Sequence, residues 1–383
     1  MTIAVAKPLM GLQEMDAVQR VMESGHLAGG PESKKFEVEW ANYLNAFDAV
    51  LVSNGTTALE GALAALREGN PYQDEVIVPA MSFNATSSAV IAAGLRPVFA
   101  DISRYSNAID VKEVEKLRNR RTLGVIAVDL YGLMADYEEL NALGLPIIED
   151  AAQAHGSTYR GYKPGSVEMF ARYPNLFATT FSFYATKNIT TGGEGGAVVS
   201  SRWEVTDFVR QLREHGQRGR YNHETAGHNW RVTELQAAIG RAQLKKLDFW
   251  QDIRNRNAQA YSRSLDEGGI TYMIDKPYFK DDLYGHGWHQ YVIRPIREYR
   301  DLTIKYLNER GVGTGIHYPV ADPRQPMYGY AAHSFPNAEA LAQEAISIPV
   351  GPWVEPKDVT FIIKTINESQ EWVEKEYRDS SDT

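Results

Sequence analysis

One pattern restricts what this chain can become: short, almost wholly apolar runs alternate with amphipathic stretches of helical period. The runs are AVLV at 49–52, EVIVP at 75–79, PVFAD at 97–101, LGVIAVD at 123–129 and LPIIED at 145–150. A strand that is apolar on both faces must be covered on both faces. The spacing therefore predicts an α/β fold, a mostly parallel sheet between two layers of helices. Ligands of such sheets collect at the carboxyl ends of the strands. At 383 residues the chain exceeds the size at which one core keeps growing, which predicts two domains.

Composition narrows the chemistry. A net charge of -9 argues against a nucleic-acid partner. Zero cysteines exclude disulfides, thiolate metal sites and cysteine nucleophiles, and no metal site is expected. The opening MTIAVAKPLMG has no charged segment leading into a long apolar core, and no apolar run reaches membrane-spanning length. The expectation is a cytoplasmic protein with no membrane partner. Ahead of the first strand, Lys7-Pro8 opens an arm, and a helix follows with Leu12, Met15, Val18 and Val21 on one face. Gly25, Gly29, Gly30 and Pro31 break it before a second helix through Phe36, Trp40 and Tyr43. Further on, a long helix is expected from Thr233 to Leu247, a strand at 288–294 and a final helical region from Val354 to Lys375, with a frayed polar end from Arg378 to Thr383.

The strand ends carry the polar residues. Ser53-Asn54-Gly55-Thr56-Thr57 starts a helix after the first strand, offering a positive dipole end to a phosphate, or serving only as a cap. Asp101 ends one strand and Glu149-Asp150 another, the latter followed by Ala151-Ala152-Gln153-Ala154-His155-Gly156. A carboxylate so placed either pairs with a protonated ring nitrogen or caps a helix. Phe83 is either a flat cover over an aromatic ligand or a core residue. The stretch Thr180 to Ser200 holds Lys187 between an apolar run, Phe181 to Tyr184, and the glycines 192, 193, 195 and 196. A lysine held by a rigid strand and a permissive turn presents its amine to a carbonyl for Schiff-base formation; the alternative is a solvated lysine before a turn.

Their order says more than any one of them. Gly-Thr-Thr after the first strand, Ser-Phe after the next, EDAAQAHG, SFYATKN with GGEGG, Gly227 to Glu234 (GHNWRVTE) and His317-Tyr318-Pro319 together resemble the DegT/DnrJ/EryC1/StrS family of pyridoxal-phosphate sugar aminotransferases, over nearly the whole chain. The resemblance implies an aspartate-aminotransferase-like large domain (fold type I for pyridoxal phosphate) with a mixed, mostly parallel sheet, residues 1–250 including the N-terminal arm. A smaller C-terminal α+β domain, residues 251–383, follows. Lys187 then corresponds to the Schiff-base lysine that also moves the proton, and Asp150 to the carboxylate at the pyridine nitrogen. Gln153 corresponds to the residue near the phenolic oxygen, Phe83 to the aromatic on the ring face, and Gly55, Thr56, Thr57 and Ser182 to phosphate contacts. Asn229 corresponds to a phosphate ligand supplied by the neighbouring subunit of a homodimer. Leu27 to Gly30, His317 and Tyr318 are candidate substrate contacts, with ordinary loop packing as the alternative.

The activity so implied moves an amino group from glutamate or glutamine to a keto sugar, a nucleotide-linked 4-keto-6-deoxy or 3-keto hexose. A keto-cyclitol acceptor, sugar dehydration, aminohydroxybenzoate-type aromatisation and a non-catalytic cofactor-binding regulator are the alternatives. GGEGG lacks the Gly-Lys-Ser/Thr ending of a P-loop. Three features bear on the match. The segment 166–181 is longer than the family's short link and contains Phe170, Tyr173 and Phe177; we expect an aromatic-pinned surface loop, with packing at a dimer interface or substrate mouth as the alternative. Asp129 stands where relatives often have histidine. Lys187 is not replaced by the histidine that marks the related dehydratases, which favours amino transfer.

Overall fold

The computed structural model describes residues 2–267, 283–329 and 332–381. Its centre is a seven-stranded sheet built from β1 (Ala49–Val52), β2 (Glu75–Pro79), β3 (Arg96–Ala100), β4 (Thr122–Val128), β5 (Ile147–Asp150), β7 (Leu176–Ser182) and β8 (Gly196–Val199), with β6 (Thr158–Tyr159) outside it. The order across the sheet is β1-β8-β7-β5-β4-β2-β3. β8 runs antiparallel to both neighbours and the other pairs are parallel, so the sheet is mixed and mostly parallel. Six strands thus end at one edge.

The apolar runs dictate the layering. Successive side chains of a strand point to opposite faces, so Leu51 and Ile77 join one buried cluster while Val50, Val52, Val76 and Val78 join another. The first cluster packs under α2 (Pro31–Leu44), with Trp40 at 0% exposure edge-on to Phe181 and Phe183. The second packs under α3 (Gly55–Glu68), which sends Leu59, Leu63 and Leu66 onto the sheet. A third cluster gathers Tyr261, Tyr291, Leu307, Ile346 and Ile362 from α10 (Leu247–Glu267), β10 (Tyr291–Ile293), α11 (Arg300–Glu309), β11 (Ile346–Ile348) and α13 (Pro356–Ser381). Residue 250 lies in the first turn of α10. The N-terminal arm joins this third group: Ile3 exchanges backbone hydrogen bonds with Gly311 and Gly313, and Trp353 Nε1 donates to the Ala4 carbonyl at 2.8 Å.

Several expected elements differ in extent. α1 (Leu12–Ser24) buries Glu14, Ala17 and Val21 and leaves Leu12 and Met15 exposed. Polar anchoring rotates it: Glu14 accepts from Gln243 Nε2 at 2.7 Å and from the Lys246 ammonium, a tie that an apolar count misses. The helix expected over 233–247 is α9 (Glu234–Leu244) followed by a break and α10. The strand expected over 288–294 is only β10, because Trp288 has a positive φ of 44° and its ring stacks on His286. The segment 166–181 is not a surface loop. Ser166 caps α7 (Val167–Arg172), β7 follows, and Phe170, Tyr173 and Phe177 are buried. Each such aromatic is worth roughly 1.5–3 kcal/mol inside, enough to draw the segment into the core. The C-terminal helix continues past Arg378 to Ser381; Asp382 and Thr383 lie outside the described residues.

Candidate active site

The shared edge of the sheet opens into a cavity of about 520 Å³. From β1 the chain turns through Asn54, whose side chain accepts from the Thr57 amide at 2.9 Å and starts α3. The first amides of a helix have no intrahelical partner, and Gly55 and Thr56, which carry them, line the cavity. Glycine is required at 55: a Cβ there would sit 2.8 Å from Cβ of Ser182, the last residue of β7. Backbone and hydroxyl are thereby brought side by side at a helix N-terminus, an arrangement suited to a phosphate.

Asp150 ends β5 and is 5% exposed. Its Oδ2 accepts from Thr86 Oγ1 at 2.8 Å and its Oδ1 from the Ala152 amide at 3.2 Å. Thr86 is steered by Ser82, oxygen to oxygen 2.7 Å. Burial still raises the Asp150 carboxyl above its ordinary range, although these hydrogen bonds and the charge of Lys187 work the other way. Lys187 sits at the tip of the loop from β7 to β8, which is closed by backbone bonds from Phe183 to Gly195 (2.7 Å), Ala185 to Gly193 (3.0 Å) and Thr191 to Phe183 (3.1 Å). Gly193, at φ 154°, supplies a conformation other residues rarely adopt. Burial brings the Lys187 ammonium down to about 8, and Asp150 opposes that shift.

A hydrogen-bonded chain closes the opposite wall. The Tyr131 amide donates to Gln153 Oε1 at 2.7 Å, and Gln153 Nε2 donates to the Tyr318 hydroxyl at 3.1 Å. Tyr131 also donates its hydroxyl to the His317 carbonyl, and His317 Nδ1 meets Ser347 Oγ at 2.8 Å. Phe83, 58% exposed, lies with its ring 5.6 Å from that of Tyr318. His289 and Gln290 complete the lining.

A model of the DegT/DnrJ/EryC1/StrS aminotransferase family matches residues 8–367. The chain belongs to that family. It is 38% identical over 358 residues to the erythromycin biosynthesis sensory transduction protein EryC1 of Saccharopolyspora erythraea, covering 91% of this chain and 93% of that one. It is also 38% identical over 367 residues to dTDP-3-amino-3,4,6-trideoxy-alpha-D-glucose transaminase of Streptomyces venezuelae, covering 94% and 92% respectively. The crystal structure of S. venezuelae DesV in complex with a ketimine intermediate superimposes with a TM-score of 0.85 at 37% identity, over 94% of each chain. The aspartate-aminotransferase-like α/β architecture and the assignment as a sugar aminotransferase, a transferase enzyme, follow.

The family implies pyridoxal phosphate, and the cavity's residues fit it. A helix start with a glycine that no side chain can replace, a buried carboxylate 64 residues along the chain from its threonine partner, and a lysine made less basic by burial converge on one space. Of the residues expected from the sequence, the fold brings Gly55, Thr56, Phe83, Asp150, Gln153, Ser182, Lys187, His317 and Tyr318 to this cavity. Thr57 is turned inward instead: its hydroxyl donates to the Asn54 carbonyl at 3.0 Å and completes the helix cap. Asn229 is exposed, in a stretch bridged to Glu214, and lies apart from its own chain's cavity. Leu27 and Gly30 also lie apart from it. They are tied to the start of α9: the Glu234 amide donates to the Leu27 carbonyl at 3.0 Å, and the buried Glu234 carboxylate accepts from the Glu32 amide at 2.6 Å and the Ser33 hydroxyl at 2.6 Å. A Cβ at Gly30 would come within 2.6 Å of that carboxylate. Sequence reasoning names Asn54 within the helix start and misses Thr86 and His289 as site residues; Thr86, four residues after Ser82 at a strand-to-helix turn, is the findable one.

Proposed function

We propose that the protein moves an amino group from glutamate or glutamine to a nucleotide-linked keto hexose, using pyridoxal phosphate bound in this cavity. The observation that carries the reading is the presence of Asp150 and Lys187 in one cavity, a buried carboxylate at a strand end facing an amine whose burial brings it to about 8. The cofactor, when bound, supplies an electron-accepting ring. Asp150, fixed by Thr86 and the Ala152 amide, holds a proton on the ring nitrogen. Lys187, its amine brought down to about 8 by burial, would take a proton from the substrate carbon and return it to the cofactor carbon on the other side of the linking nitrogen. The amides of Gly55 and Thr56 and the Ser182 hydroxyl grip the phosphate, and Gln153, oriented by Tyr131, fixes the ring's phenolic oxygen. Phe83 covers one ring face.

The remaining parts of the site come from a second subunit in this reading: Asn229 reaches the partner's phosphate, and the Leu27 to Gly30 turn, tied to Glu234, accompanies it toward the partner's substrate. His317 and Tyr318 contact the substrate within the chain. Residues 1–250 and 251–383 act as two domains, and the enzyme works in the cytoplasm. The Streptomyces relative's name places its amino group at C3, which supports a 3-keto over a 4-keto acceptor. The test is mass spectrometry after incubation with glutamate and a panel of nucleotide 3-keto and 4-keto hexoses. An amino sugar formed together with 2-oxoglutarate is expected; turnover of neither donor nor any acceptor would refute the reading.

A further inference from the structure

Asp322 does not line the cavity, yet it is a carboxyl only 1% exposed. A buried carboxyl is costly unless it is hydrogen-bonded. Among the described residues its side-chain partner is the hydroxyl of Ser87, itself buried, which donates to Oδ2. The Asp322 amide donates to the Ala80 carbonyl at 2.9 Å, just past the end of β2. One residue of the C-terminal part thus holds both ends of the turn from β2 into α4 (Ala85–Ala92). Asn84, at the N-cap position of α4, makes no cap with its side chain, whose Oδ1 instead accepts from the Tyr328 hydroxyl at 2.6 Å. The start of this helix is therefore fixed from outside, by residues more than 230 positions further on.

The same turn carries the hydroxyl that holds Asp150. Thr86 spends its one proton on Asp150 Oδ2 at 2.8 Å, so in its 2.7 Å contact with Ser82 it can only accept, and Ser82 donates. Neighbouring residues of a helix point about 100° apart, which lets Thr86 reach Asp150 while Ser87 reaches Asp322. The two contacts share one rigid helical turn. A rotation of α4 that freed Ser87 from Asp322 would also carry Thr86 off the Asp150 carboxylate.

We propose that Asp322 is a positioning residue for Asp150: by holding the Ser87 hydroxyl and the Ala80 carbonyl it sets the rotation of α4 at which Thr86 meets the Asp150 carboxylate. This rests on the reading of Asp150 as the partner of the cofactor's ring nitrogen.

Crystal structures of the cofactor-free, full-length wild type, Asp322→Ala and Asp322→Asn give a geometric readout. The contact between Thr86 and Asp150 should stay at 2.8 Å in wild type and in Asp322→Asn, whose amide oxygen still accepts from Ser87. In Asp322→Ala it should open past hydrogen-bond distance. Ser87→Ala, a smaller change, should open it too and decides the matter if Asp322→Ala fails to fold. Pyridoxal phosphate titration supplies the second readout. Asp322→Ala should weaken binding about ten-fold in the otherwise wild-type chain, the worth of one hydrogen bond. In a Thr86→Val background it should weaken binding no further, because the contact through which it acts is already gone. A Thr86–Asp150 contact intact in the variants that lose the bond between Asp322 and Ser87, or equal losses of binding in both backgrounds, would overturn the proposal. A contact that opens while binding is unchanged in every variant, Asp150→Asn included, would uphold the positioning and sink the reading of Asp150 as the cofactor's partner.

Discussion

Asp129→Asn isolates one electrostatic feature of the buried core. Asp129 follows β4 and Glu149 lies within β5, each at 0% exposure, with their carboxyl groups within hydrogen-bond reach of one another. Asp129 Oδ1 accepts from the Ala135 amide and the Tyr137 hydroxyl, both at 2.9 Å. Glu149 Oε2 accepts from the Gly165 amide at 3.1 Å and from the Thr179 hydroxyl. Among the described residues Asp129 Oδ2 and Glu149 Oε1 have no other partner, and a single proton shared by the two carboxyls would satisfy both. Burial and mutual repulsion raise Asp129 well above its ordinary range, and burial brings Glu149 to about 7. The sign follows: the folded state keeps a proton that the unfolded chain releases above the ordinary carboxylate range, so this pair loses stability as pH rises. One retained proton costs about 1.36 kcal/mol per pH unit, or roughly 2.7 kcal/mol between pH 5 and pH 7. Asparagine keeps the oxygen that serves Ala135 and Tyr137 and offers Glu149 an amide donor at any pH. Unfolding of variant and wild type should be compared at each pH from 5 to 8, because the buried neutral histidines, such as His155 pushed down to about 3, titrate equally in both. The variant's stability relative to wild type should grow by about 3 kcal/mol from pH 5 to pH 7. A difference that stays constant with pH would refute the shared proton.

Gly55→Ala forces a Cβ to 2.8 Å from Ser182 at a rigid helix start, a strain of about 1–3 kcal/mol; pyridoxal phosphate titration should show weakened binding, while Gly69→Ala, with open space around it, serves as the unaffected control. Asp150→Asn should leave the fold intact and slow the half-reaction with the amino donor by orders of magnitude, followed by stopped-flow absorbance; a near-wild-type rate would mean that another residue holds the ring nitrogen. Isolated mixed dimers of Lys187→Ala and Asn229→Asp should recover about half of wild-type activity, since contribution across the interface gathers both lesions into one pocket, counting independent sites. Mixed dimers as inactive as either parent, with Asn229→Asp itself folded and inactive, would place Asn229 elsewhere.

What the chain discloses before it folds is set by how local each signal is. The apolar runs, Asp150 at a strand end and Lys187 between a strand and glycines are local patterns, and the sheet turns all of them to one edge. Thr86 and His289 meet hydrogen-bond partners 64 and 101 positions away, and no spacing rule links such partners. The segment 166–181 reads as a surface loop because its length is visible in the sequence and its burial is not; its aromatics enter the core. The helix α1 shows the opposite error, since Leu12 and Met15 form an apolar pattern and yet Glu14 is the buried residue. Asn229 cannot be read from one chain at all, because the cavity that it is proposed to serve belongs to a second copy.

The central claim is that Lys187 is the amine that reacts, and borohydride reduction of the purified protein loaded with pyridoxal phosphate tests it most directly. Peptide mass spectrometry should find the reduced cofactor on the single peptide containing Lys187, and Lys187→Ala should bind the cofactor without being labelled. Label on another lysine, or none on wild-type protein that has bound the cofactor, would contradict the assignment.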